Sequence, residues 1–148
     1  ALHGTDAVRV PVVVGGRSPA ERIATVPAAS VDLTGDRAVV RPGAEGPWPG
    51  HLPAPSPARV HPDPAPVDLL DVDDRPVGVG GRGLISAPPA RLGRHRVVGW
   101  AGPWPVDERW WDPDRARRRA RVQVVLDDGT AHLLALEEGT WHLEATYD

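Results

Sequence analysis

A mainly β fold, an antiparallel meander or small, partly open β-barrel behind an extended Pro/Gly-rich N-terminal arm, is what the sequence predicts, and three observations predict it. The last thirty residues alternate apolar and polar positions with a period of two, as strands with one buried face do. Asp-Gly and Glu-Gly pairs interrupt that alternation at the positions where tight hairpin turns demand a positive φ. Finally, 18 prolines and 16 glycines among 148 residues leave little room for long helices.

The elements follow in order, residues 1–55 as the arm and residues 56–148 as a C-terminal β domain. Val8–Val14 is β-prone and meets Gly15-Gly16. Ser18 then caps a short helical turn with Pro19 first and Glu21 third, an arrangement kept brief by Pro27. Short apolar pieces at Val31–Leu33 and Ala38–Val40 are strand candidates. Residues 42–57, PGAEGPWPGHLPAPSP, lack the N–H groups a sheet ladder needs and run extended over a surface, with Trp48 as their anchor and the arm packed on the domain.

From Ala58 the punctuation becomes regular. Arg59–His61, Val67–Leu70, Val77–Val79 and Leu84–Ser86 read as short strands, separated by turns at Asp71–Pro76 and Gly80–Gly83. Asp112-Pro113-Asp114 starts one or two helical turns. In the strand that follows, Ala120, Val122, Val124 and Leu126 share the core face, with Arg119, Arg121 and Gln123 on the other. Asp127–Thr130 turns, Ala131–Leu136 returns, and Glu137–Thr140 turns again. Trp141, Leu143, Ala145 and Tyr147 then alternate with His142, Glu144 and Thr146. Six to eight short strands are expected in all.

Charge narrows the function. All 17 basic residues are Arg, a pattern of GC-rich coding more than of nucleic-acid binding, and the net charge of −3 disfavours a general polyanion binder. The charge is nevertheless segregated: residues 91–121 hold nine Arg and four acids, whereas residues 122–148 hold six acids and no Arg. Without Cys there are no disulfides or thiolate metal sites, and no apolar run is long enough to span a membrane. A cytoplasmic location is expected, and a chain beginning at Ala1 reads as a fragment of something longer.

Little catalytic chemistry is visible. Of the six His, only His132 and His142 lie on consecutive strands, and with no third ligand they are expected to face solvent without a metal. The carboxylates at Asp71, Asp73, Asp74, Asp127, Asp128, Glu137 and Glu138 belong to turns. Gly78–Gly83 matches a Gly-x-Gly-x-x-Gly string, but no helix follows to complete a nucleotide cradle. No catalytic residue, cofactor or metal is therefore expected, and the chain does not read as an enzyme.

The remaining constellation is aromatic and basic: Trp100, Trp104, Trp110 and Trp111 with Arg109, Arg115, Arg117, Arg118 and Arg119. Stacking rings interleaved with Arg on a small β scaffold suit single-stranded DNA. The same residue types are enriched at protein interface hot spots, and Arg117–Arg119 also reads as a solvated strand end.

Gly102-Pro103-Trp-Pro-Val106-Asp-Glu-Arg-Trp110-Trp111, followed by Arg117-Arg118-Arg119 and a strand hairpin, resembles the C-terminal region of actinobacterial ImuB-type proteins, the catalytically inactive Y-family DNA polymerase homologues of the mutasome. Gly15–Arg22 and the proline-rich stretch around Trp48 are similar to the segment that precedes that region. The resemblance implies a non-catalytic protein-interaction module of a translesion-synthesis adaptor, acting in DNA-damage-induced mutagenesis. It implies as partners a RecA-like accessory protein and an error-prone DnaE-type polymerase. The sliding-clamp motif is expected outside this chain, because Gln123, the only glutamine, falls inside a predicted strand. A single-stranded DNA-binding β-barrel is the alternative.

Overall fold

The computed structural model describes residues 8–32, 34, 44, 46, 51–108 and 117–147, and within them the chain is mainly β with no α-helix. Contacts divide the chain into two compact units, residues 1–51 and 52–148. Trp48, Leu33, the strand candidate at 38–40 and the turn at 112–114 lie outside the described residues.

In the first unit β1 (Arg9–Val13) pairs antiparallel with β2 (Ile23–Pro27). Between them the expected capped turn is a 3₁₀ turn, Pro19–Glu21, and the Glu21 carboxylate accepts the backbone N–H of both Arg17 and Ser18 at 3.2 Å. Gly15 is required here: its φ is +80° and a Cβ would stand 2.6 Å from the Ala44 carbonyl oxygen. After β2 a second 3₁₀ turn, Ala28–Ser30, leads into a bend at Val31 where a strand was expected.

The second unit is one seven-stranded antiparallel sheet curled into a half-barrel. Its strands are β3 (Arg59–Val67), β4 (Leu69–Leu70), β5 (Arg91–Leu92), β6 (His95–Glu108), β7 (Arg117–Leu126), β8 (Ala131–Glu137) and β9 (Thr140–Tyr147). Their order across the sheet is β3-β9-β8-β7-β6-β5-β4. The hairpin turns use the expected residues: Gly129 has φ +86°, and Glu138 and Gly139 both have positive φ, +51° and +82°. Val77–Val79 and Leu84–Ser86 do not form strands but share one isolated bridge, Val79 to Ile85, beside a second from Leu70 to Pro76, because glycines and turns leave each piece too short for a ladder.

β6 is the element that alternation does not announce. It runs through Pro103 and Pro105, and two register shifts against β7 absorb the irregularity, one between Val97 and Gly99 and one between Ala101 and Trp104. β5 reaches only to Arg96, so among the described residues the far side of β6 has no registered strand beyond that point. A proline's missing N–H costs no ladder bond on such an edge.

Both faces of the sheet bury apolar side chains. On one, Leu69, Val77, Val122, Val124, Leu134 and Trp141 form the main core, and Trp141 Nε1–H donates to the Val77 carbonyl at 2.7 Å. On the other, Leu133, Ala145 and Tyr147 pack with Leu52, Val60 and Trp104. This corrects the expectation that Trp141, Leu143, Ala145 and Tyr147 share one face. A register shift places Leu134 opposite Leu143 but Leu133 opposite Ala145, so Glu144 is the extra residue of a β-bulge and the face changes across it. Arg121, expected on the solvent side, is fully buried, and its Nε and Nη2 donate to Glu144 at 2.7 and 3.2 Å. The second apolar layer, unforeseen in strict alternation, is what covers it.

Candidate interaction groove

Where the ends of β6, β7 and the β8–β9 turn meet the glycine-rich loop 78–83, they enclose a groove of about 350 Å³. Its floor is apolar, Pro105 of β6, Ala120 of β7 and Leu136 of β8, which register opposite one another across the three strands. Val79 and the backbone of Gly78, Gly80 and Gly83 form one wall, and Glu138 with Gly139 closes the other. The loop folds back on itself through Gly80 N–H to the Leu84 carbonyl and Gly83 N–H to the Gly80 carbonyl. It lies close on the sheet, since a Cβ at Gly83 would come within 3.2 Å of Pro105 Cγ. No helix follows these glycines, and the N–H groups of Gly80 and Gly83 are spent on the turn while that of Gly78 donates to Ser86 Oγ.

Two of the basic residues singled out in the sequence line this groove. Arg118 is exposed, donates from Nη2 to the Gly81 carbonyl at 2.5 Å and places Nε 3.4 Å from the Asp107 carboxylate. Its guanidinium therefore ties loop 78–83 to β6 while remaining at the rim. Arg119 is half-buried and donates twice to Glu137, at 3.1 and 3.4 Å. Arg117 stands opposite Glu108 at the start of β7.

The tryptophans separate. Trp100, opposite Val124, is 39% exposed, and Val98 on the same strand is 57% exposed. Trp104, opposite Arg121, packs into the second core. Arg109, Trp110, Trp111 and Arg115 lie outside the described residues. The groove residues that sequence reading missed, Leu136, Glu138 and loop 78–83, come from distant segments. Glycine density in the loop was the available signal, legible as a turn but not as a wall.

A second cluster is polar. His132 and His142 do not converge: the register sets His132 opposite Thr146 and His142 opposite Ala135, on opposite faces. His132 instead shares Thr146 with His61 of β3, their ring nitrogens 3.2 and 3.0 Å from its Oγ1. Burial lowers the His132 pKa, opposed by the charge of Asp128 and aided by those of His61 and His95. Among the described residues no group of three His or acidic side chains is placed to hold a metal ion, and no helix is long and apolar enough to cross a membrane.

No family model, curated protein or solved structure matches this chain.

Proposed function

We propose that the second unit is a non-catalytic protein-interaction module, and that its partner is an element of a translesion mutasome, a RecA-like accessory protein or an error-prone DnaE-type polymerase. The module half rests on the groove: an apolar floor with a hydrogen-bonded glycine wall and Arg118 at its rim suits an apolar side chain next to a carboxylate. The mutasome half rests on the Gly102–Trp111 resemblance alone. The observation that carries the choice over single-stranded DNA is the placement of the described tryptophans. A stacking platform needs at least two exposed rings on a basic face. Among the described residues only Trp100 is exposed, while Trp104 and Trp141 are built into the two cores.

The test is tryptophan fluorescence of the chain, titrated with a single-stranded oligonucleotide at low and physiological salt and, separately, with each candidate protein. A saturable shift with a protein and none with the oligonucleotide supports the proposal. Quenching by the oligonucleotide that fades steeply with salt transfers the chain to the DNA-binding reading. Arg118→Glu should weaken the protein complex by about tenfold or more, since it reverses the rim charge and unties loop 78–83 from β6. An unaltered affinity removes the groove from the interface.

A further inference from the structure

Three histidines, two threonines and two aspartates meet at the other end of the sheet. His61 Nε2 lies 3.0 Å from Thr146 Oγ1, which lies 3.2 Å from His132 Nδ1. His132 Nε2 lies 3.3 Å from Thr130 Oγ1, and Thr130 Oγ1 lies 2.6 Å from Asp128 Oδ1. Each hydroxyl has one proton to give, as does each neutral imidazole.

The directions of these bonds follow one from another. Hydrogen bonds from the Thr130 side chain and backbone hold the Asp128 carboxyl below its usual pKa, so it is an ionised acceptor and takes the Thr130 proton. His132 Nε2–H must then donate to Thr130, which leaves Nδ1 bare. Thr146 gives its proton to that nitrogen, and His61 Nε2–H donates to Thr146. Donation therefore runs one way, from β3 through β9 and β8 to the β7–β8 turn.

β3 meets β9 in two short stretches, Arg59–Val60 and Ala65–Val67, with this track between them. It is an edge strand, and its register on β9 jumps between Val60 and Ala65, so residues 61–64 have no registered partner. Two of those four, Pro62 and Pro64, have no N–H to offer. The His61–Thr146 bond sits in that gap and stands in for the missing ladder.

We infer that the hold of β9 on the edge strand β3 is acid-sensitive: a proton taken up at His132 Nδ1 turns that nitrogen from acceptor to donor, leaves the Thr146 hydroxyl proton without its partner, sets a positive charge beside His61, and loosens residues 59–67 on β9. The groups facing His132 are Asp128 from the turn, His61 from β3 and His95 from the start of β6. Asp128 alone favours the proton, and it is shared: His95 Nδ1 lies 3.5 Å from Asp128 and 3.4 Å from Asp127, while His95 Nε2 accepts from Arg94 Nε at 3.1 Å. Because the closed sheet lowers the His132 pKa, closure is favoured above the ordinary histidine pKa of about 6.5 and lost as pH falls through the lowered value. This inference is independent of the proposed function.

The test uses the whole chain. Imidazole nitrogen NMR at about pH 8 should show both His61 and His132 as Nε2–H tautomers. Hydrogen exchange, corrected for its intrinsic pH dependence, should show residues 59–67 losing protection about tenfold between about pH 8 and pH 5, while β7 and β8 keep theirs. His132→Gln should abolish that pH dependence, and Thr146→Val should leave β3 poorly protected at both pH values. An Nδ1–H tautomer at His132, protection of β3 unchanged by pH, or the same loss in His132→Gln would each overturn the inference. The tautomer measurement needs no variant and decides even if a substitution prevents folding.

Discussion

At the residue scale, Arg121 is the side chain whose environment departs furthest from its type. A guanidinium with no exposed surface is held by the Glu144 carboxylate, itself only 7% exposed, and among the described residues Arg121 Nη1 has no hydrogen-bond partner. Desolvating such a pair costs nearly what its attraction returns, but removing one member strands a buried charge. Glu144→Gln is therefore expected to destabilise the unit by about 3–5 kcal/mol. The double variant Arg121→Met, Glu144→Leu should recover most of that loss, because no charge is left to desolvate. Urea midpoints of the single and the double variant check this, with an unchanged m-value confirming that only stability moved. Gly102 is fixed by the same residue's backbone: its φ is +109°, and a Cβ there would lie 2.8 Å from the Arg121 carbonyl oxygen. The glycine that opens GPWPVDERWW is thus a close-approach residue between β6 and β7.

At the element scale, the prolines and the bulge carry the design. Pro62, Pro64 and Pro66 leave the edge strand β3 with three residues that have no N–H to donate to a further strand. An edge without donors is a poor template for another chain. Replacing all three by Thr should restore that template and produce concentration-dependent association, read by light scattering at neutral pH. A variant that stays monomeric at the same concentrations removes the protective role from these prolines. In β9 the extra residue Glu144 divides the strand: Trp141 and Leu143 serve the main core, while Ala145 and Tyr147 serve the second. Without that bulge Ala145 and Tyr147 would stay on the face of Leu143, since one residue of shift exchanges the faces of a strand.

At the scale of the whole molecule, stability should form a plateau with identifiable edges. Burial lowers the His132 pKa, so its contribution is present above about pH 6.5 and is lost as pH falls through the lowered folded-state value. Burial, with the charge of Glu144, raises the Tyr147 pKa, so its contribution is complete below about pH 10 and is lost above it. Urea midpoints measured across pH should fall on both sides of a region between about pH 7 and pH 10. His132→Gln should flatten the acid limb alone; an acid limb that keeps its slope would assign it to other groups. What the sequence by itself determined was the β class, the three-stranded meander of β7 to β9, its turns at Asp127–Thr130 and Glu137–Thr140, and the buried set from Ala120 to Leu126. Those features are local, set by side-chain period and by the backbone freedom of glycine. Tertiary structure alone decided that β6 passes through Pro103 and Pro105, that Arg121 is buried, and that loop 78–83 walls a groove over Pro105, Ala120 and Leu136. It also decided that His61 meets His132 at Thr146. Each depends on register shifts or on residues far apart in the chain, and a bulge leaves no mark in composition: it changes which face a side chain takes without changing the side chain.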